Sequence, residues 1–99
     1  PRLRQLAFEN ARVWTRESRE RPLEPPAAGR LGEVRAPVLL LLGGRDVPDI
    51  RRIVDLLAAG IPHAERADAP DAGHVLNLER PEWFQREVLE LLARCDARR

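Results

Sequence analysis

The sequence predicts an α/β fold in which two parallel strands alternate with helices. The prediction rests on an apolar run at residues 38–42, a helical apolar pattern after it, and a second short strand followed by another helical pattern. A strand–helix–strand unit of this length implies parallel strands joined by a right-handed crossover. Such a sheet needs helices on both faces and further strands beside it, so we expect these 99 residues to be the end of a larger sheet.

Residues 2–18 form the first predicted helix, because apolar side chains recur on one stripe while Arg and Glu occupy the other face. The stripe consists of Leu3, Leu6, Ala7, Val13 and Trp14. Residues 21–37 follow as a connector, since prolines and glycines would interrupt any long helix there. A short helical turn is expected within it, at residues 27–31.

The run at residues 38–42 is the clearest strand, with a proline before it and two glycines after it. It lacks alternation, so we expect both of its faces to be buried. Asp49 is the expected N-cap of the next helix, which ends at Gly60. The apolar positions of that helix are Ile50, Ile53, Val54, Leu57 and Ala58.

The second strand is predicted at residues 64–69, and a turn at residues 70–74 follows it. Pro81 suits the first turn of the last helix. We expect fraying after Arg94, where the chain becomes charged. The expected buried face of the last helix consists of Trp83, Phe84, Val88, Leu91 and Leu92.

Composition excludes several classes of function. The 17 basic residues, all Arg, nearly balance 16 acidic ones, and a net charge of +1 argues against a nucleic-acid partner. A single Cys excludes an internal disulfide and a cysteine-based zinc site, and it is compatible with a cytoplasmic protein. The longest apolar run is far shorter than the roughly 20 residues that span a bilayer, so no membrane partner is expected. No cofactor or metal is expected either.

Two side chains that carry chemistry follow the two predicted strands. Asp46 lies just past the end of the first strand, and His74 lies in the turn after the second. Because the strands are parallel, both side chains emerge at the same edge of the sheet. A carboxylate there accepts a hydrogen bond from the histidine ring and fixes its tautomer, which leaves the other ring nitrogen free to act as a base.

At these residues the sequence resembles the α/β-hydrolase family. Residues 37–46 resemble its apolar strand that runs into G-x-x-D, and residues 73–84 resemble its G-H-x-x-x-x-E-x-P-x-x-F segment. The match covers about residues 34–93, roughly two-thirds of the chain. The resemblance implies that Asp46 is the acid and His74 the base of a catalytic triad, in the family's chain order. It also implies a small-molecule substrate, a cap region that ends in residues 1–33, and the C-terminal part of the core in residues 34–99.

The family's nucleophile motif, G-x-S-x-G, is absent from the sequence. Ser18 lies in a charged stretch without glycines, and Cys95 lies in a polar tail, so neither is expected to be a nucleophile. The chain begins at Pro1 without an initiator Met. We therefore expect the nucleophile and the remainder of the core upstream, and we expect the isolated chain to be inactive, because the nucleophile and oxyanion donors contribute most to acyl transfer.

Other functions stay open at this point. The parent protein is expected to be esterase-like, but related proteins include epoxide and haloalkane hydrolases with an Asp nucleophile, haloperoxidase-like enzymes, lyases and acyltransferases. A non-catalytic interaction module is a further alternative, although a strand apolar on both faces would leave it an adhesive surface and an open edge.

Several polar residues have simpler interpretations. Asp68 and Asp71 are too close in sequence to His74 to reach it from a neighbouring strand end. His63 is expected at the surface, and Glu79 is expected to be a structural carboxylate that positions the histidine turn. Arg51, Arg52 and the two arginines at the end of the chain are read as solvated charge.

Overall fold

A computed structural model describes residues 1–17 and 26–98 and shows helices that alternate with a two-stranded parallel sheet. The elements in order are α1 (Arg2–Glu17), a 3₁₀ segment (Ala27–Glu33), β1 (Leu39–Gly43), α2 (Pro48–Gly60), β2 (Glu65–Ala69), α3 (Leu76–Glu79) and α4 (Pro81–Ala97). The predicted α/β class is confirmed at this level, and so is the short helical turn in the connector. Ser18 and residues 21–25 of the predicted connector lie outside the described residues.

The two strands run in the same direction and end together. Leu39 pairs with Glu65 at one end of the sheet, and Gly43 pairs with Ala69 at the other. Helix α2 connects them, as the strand–helix–strand pattern predicts. Because both strands finish at the same level, the residues that follow them leave the sheet at one common edge.

Part of the buried core lies beneath this edge. The buried apolar side chains are Leu42, Val54, Ile61, Ala69, Ala72 and Leu76. Leu41, Trp83 and Phe84 pack against the part formed by Ala69, Ala72 and Leu76. The core therefore anchors the end of β2 and both ends of the turn that carries His74.

Burial along β1 is less complete than its apolar sequence predicts. Residues 39–41 are half-buried, and only Leu42 and Gly43 at the end of the strand are fully buried. A sheet of two strands has few neighbours to cover its faces within the described residues, so burial is concentrated where the turns after both strands meet. On α4, Leu92 is 53% exposed, which contradicts its predicted place on the buried face; the other four predicted residues are half-buried.

The N-cap prediction for Asp49 is wrong. Helix α2 begins one residue earlier, at Pro48, with Val47 as the cap residue and no side-chain capping bond. Proline suits the first helical position because its ring presets the backbone angle and it has no N–H to leave unpaired. Asp49 therefore falls inside the first turn, 4.0 Å from Arg52.

Two features at the end of the chain also differ from expectation. Helix α4 continues to Ala97, three residues past the point where fraying was expected, and the Arg94 guanidinium pairs with the carboxylate of Glu65 on β2. Helix α3 was not predicted, since its four residues are too few to show a helical period.

Helix α1 matches its predicted start, and its described residues end at Glu17. Its apolar side chains are solvent-exposed: Leu3 is 83% and Phe8 is 84% exposed. The side chain of Trp14, the last member of the predicted stripe, lies outside what the structure describes. In the described residues, no helix combines the length and the apolar character that a membrane crossing requires.

Candidate active site

Asp46 is held just beyond the end of β1 by its backbone and its own side chain. Its N–H donates to the Gly43 carbonyl at 3.0 Å, which closes a tight turn. One carboxylate oxygen, Oδ1, accepts the N–H of Val47 at 2.7 Å. The second oxygen is therefore left to face the turn that follows β2.

The structure brings Asp46 and His74 together. The ring nitrogen Nδ1 of His74 lies 2.7 Å from Oδ2 of Asp46. An ionised carboxylate only accepts hydrogen bonds, so Nδ1 carries the proton and donates it. This bond fixes the ring's tautomer and leaves the lone pair of a neutral ring on Nε2.

The two partners differ sharply in exposure. The Asp46 side chain is only 6% exposed, whereas the His74 side chain is 69% exposed. No residue in the described ranges bonds to the Nε2 atom of His74. The pair therefore consists of a sheltered acid and a ring whose second nitrogen is open to another molecule.

The hydrogen bond from His74 lowers the pKa of the Asp46 carboxyl below its ordinary value. Burial of the carboxyl opposes this change, and the backbone N–H of Val47 reinforces it. Asp46 is therefore ionised at neutral pH, the state in which a carboxylate orients and stabilises an imidazolium.

Two glycines allow the turn after β1 to approach the turn after β2. A Cβ on Gly43 would lie 2.0 Å from the Gly73 carbonyl oxygen, and one on Gly44 would lie 2.4 Å from the Pro70 carbonyl oxygen. No side chain fits at such distances. The amide of Arg45 donates to the carbonyl of Ala72 at 2.9 Å, which joins the two turns directly.

The turn that carries His74 is also held from below. Glu79, the last residue of α3, accepts the N–H of Gly73 at 3.0 Å and the N–H of Val75 at 3.2 Å. The expectation that Glu79 is a structural carboxylate at this turn is confirmed. Asp71 pairs with Arg80, whose hydrogen bond lowers the pKa of the Asp71 carboxyl.

The competing carboxylates and the other histidine lie elsewhere, as predicted. Asp68 pairs with Arg66, and the pairing of Asp71 with Arg80 keeps that carboxylate from His74. His63 is exposed, and its Nε2 lies 2.8 Å from the carbonyl of Ala36 in the connector.

One supporting residue was missed by sequence reasoning. Arg51, read as solvated charge, donates to the carbonyl of Gly44 at 3.2 Å and so braces the turn before Asp46. Its position in the first turns of α2 is the only sequence signal, because an arginine there is close enough to reach back to the strand end.

Cys95 lies at the wrong end of the sheet to act with this pair. It lines a small cavity with Val38 and Glu65, at the starts of the two strands, whereas Asp46 and His74 follow their ends. Ser18 lies outside the described residues. Over residues 1–17 and 26–98, no group of three or more acidic, histidine or cysteine side chains is arranged to hold a metal ion.

No protein-family model matches the chain, and no solved structure matches it at a significant level.

Proposed function

We propose that this chain carries the acid and the base of a nucleophile–histidine–acid triad in a hydrolase of the α/β-hydrolase type, acting on a small ester. The observation that supports this proposal is the 2.7 Å hydrogen bond between His74 Nδ1 and Asp46 Oδ2 at the common edge of two parallel strands. In this proposal residues 34–99 belong to the catalytic core, and residues 1–33 belong to the end of a cap region.

His74 does the proton transfer in the proposed reaction. Its Nε2 takes the proton of the nucleophile's hydroxyl as that oxygen attacks the ester carbonyl, and later returns the proton to the leaving alkoxide. In the second half, Nε2 takes a proton from water as the water oxygen attacks the acyl carbon. When the bond from that carbon to the nucleophile's oxygen breaks, Nε2 gives the proton to this oxygen, which restores the hydroxyl and releases the acid. Asp46 holds the ring in the required tautomer and stabilises its protonated form in each half.

The nucleophile in this proposal comes from a part of the protein outside these 99 residues, since the sequence holds no G-x-S-x-G elbow. The proposal accordingly has two parts that are tested separately. The gene upstream of Pro1 is expected to encode the elbow, and the longer protein is expected to turn over an activated ester such as p-nitrophenyl acetate.

The decisive experiment measures this turnover in matched variants of the longer protein. Asp46→Asn is expected to lower kcat by about 10⁴-fold, as loss of the triad acid does when the ring takes the wrong tautomer. His74→Ala is expected to lower kcat by at least as much. The control is His63→Ala, which removes an exposed histidine in the turn between α2 and β2 and is expected to leave kcat unchanged.

Three results would overturn parts of the proposal. Unchanged kcat in both site variants would remove the catalytic pair. An upstream sequence with an Asp in place of the serine elbow would move the reaction to a different nucleophile and substrate class. Ester turnover by the 99-residue chain alone, lost in His74→Ala, would show that no further nucleophile is needed.

A further inference from the structure

We infer that Glu79 is a positioning residue, whose carboxylate sets the direction in which His74 presents its ring to Asp46. The inference rests on the proposed function, because it concerns how the histidine of that pair is oriented. It starts from an unusual arrangement: one side chain accepts hydrogen bonds from the backbone immediately before and immediately after the histidine.

The two bonds use different oxygens of the same carboxylate. Oε1 accepts the N–H of Gly73 at 3.0 Å, and Oε2 accepts the N–H of Val75 at 3.2 Å. Within the described residues, neither amide has another acceptor. Other bonds hold the residues further out, since the Arg45 amide donates to the Ala72 carbonyl and the Val75 carbonyl accepts the amide of Leu78. The two N–H groups that directly flank His74 are held by Glu79, which restrains the rotation of those peptides at two points.

The site is shaped for a carboxylate. A Cβ on Gly73 would lie only 3.0 Å from Oε2 and 3.2 Å from Oε1 of Glu79. Because glycine has no Cβ, the carboxylate has room to lie against the backbone at this position. An ionised carboxylate accepts both bonds and donates none, and charged acceptors form stronger hydrogen bonds than neutral ones. A glutamine would accept one bond and turn an NH₂ donor toward the other N–H.

The direction of the His74 ring depends on the backbone of residues 73–75, and Glu79 bonds that backbone. Glu79 therefore influences the Asp46–His74 hydrogen bond through the backbone. Asp46 is held by bonds that Glu79 does not make, from the Val47 amide to its side chain and from its own N–H to the Gly43 carbonyl, so these bonds remain when Glu79 is replaced. When the peptides around His74 are released, Nδ1 leaves the narrow range of distance and angle that its hydrogen bond requires. Glu79 does not touch a reacting atom and acts only through the position of His74.

The test uses the 99-residue chain and nuclear magnetic resonance, with the substitution Glu79→Gln. Two signals are followed: the chemical shifts of the His74 ring nitrogens, which show which nitrogen of the neutral ring carries the proton, and hydrogen exchange at the amides of Gly73 and Val75. In Glu79→Gln we expect the ring-nitrogen shifts to move toward a mixture of the two tautomers. We expect at least one of the two amides to exchange about tenfold faster or more.

The matched control is Glu82→Gln, which neutralises an exposed carboxylate only three residues away, in the first turn of α4. It is expected to change neither signal. Because a merely structural loss would affect amides throughout the chain, the amides of β1 and β2 serve as an internal reference and are expected to keep their exchange rates.

The outcomes separate this inference from the proposed function. A neutral His74 ring that carries its proton mainly on Nε2 in the wild-type chain would overturn the Asp46–His74 pair itself. Ring-nitrogen shifts and amide rates that are unchanged in Glu79→Gln would overturn the positioning role and leave the pair intact. If Glu79→Gln does not fold, hydrogen exchange in the wild-type chain provides the test. Amides of Gly73 and Val75 that are not protected from exchange there would overturn the role of Glu79.

Discussion

The carboxyl end of the sheet and helix α1 are packed in opposite ways. At the sheet end, Gly43 and Gly44 approach the backbone of the next turn so closely that even a Cβ has no room. On α1, Leu3 and Phe8 are more than four-fifths exposed. The comparison shows that an apolar residue pattern alone does not make a packed region, whereas small residues and directed hydrogen bonds join two distant parts of the chain.

The largest expected effect is a difference in the free energy of unfolding between two leucine-to-alanine substitutions, one at the end of the sheet and one on α1. Leu42 is 1% exposed at the end of β1, so Leu42→Ala should destabilise the fold by about 2–5 kcal/mol, because it removes buried methyl groups and leaves a cavity. Leu3→Ala, at 83% exposure, should change the free energy of unfolding by less than about 0.5 kcal/mol. Urea unfolding measures both, and equal losses would refute the contrast in packing.

A smaller effect is expected from adding one methyl group to a glycine. Gly43→Ala places a Cβ against the Gly73 carbonyl and should destabilise the fold by about 1–3 kcal/mol, while also weakening the Asp46–His74 contact. The control is Gly29→Ala in the 3₁₀ segment, where a Cβ would meet nothing within 4 Å. If Gly43→Ala unfolds at the same urea concentration as the control, the close approach of the two turns is not needed.

The smallest effect is a dependence of stability on pH. Because the folded pKa of Asp46 is lowered, its contribution is fully present above the unfolded pKa of about 3.9 and is lost as the pH falls through the folded value. The difference in free energy of unfolding between the wild type and Asp46→Asn should therefore shrink as the pH falls from about 5 to about 2. Unfolding curves at a series of pH values measure it, and parallel pH profiles would contradict the assignment.

Much of the site could be predicted from local sequence, because it depends on where strands end. The apolar run before Gly43 and Gly44 predicts β1 to within one residue, and the parallel direction places Asp46 and His74 at one edge. The contact between their side chains depends on features without a sequence signature of their own. Arg51 braces the strand end from an exposed position on α2, where an arginine is ordinarily read as solvated charge.

The failed predictions for Asp49 and for the end of α4 share a physical cause. Each was based on the type of the residues themselves and did not take into account the residues that contact them. Asp49 has the side chain of a good N-cap, but Pro48 before it takes the first helical position. The charged end of α4 has the composition of a fraying helix, but the Arg94 guanidinium donates a hydrogen bond to the carboxylate of Glu65, which lies 29 residues earlier on β2. The half-burial of residues 39–41 is a different case, because the described residues give β1 only one neighbouring strand.

The hydrogen bond between Asp46 and His74 joins residues that are 28 positions apart in the chain. Everything between them, helix α2 and strand β2 included, must be in place before the two side chains meet. Contacts of this kind close a long loop, and parallel strand pairing is among the slower events of folding because the loop entropy is lost before the contact is gained. Formation of the hydrogen bond between His74 and Asp46 is therefore expected to report when the strand–helix–strand unit has completed its folding.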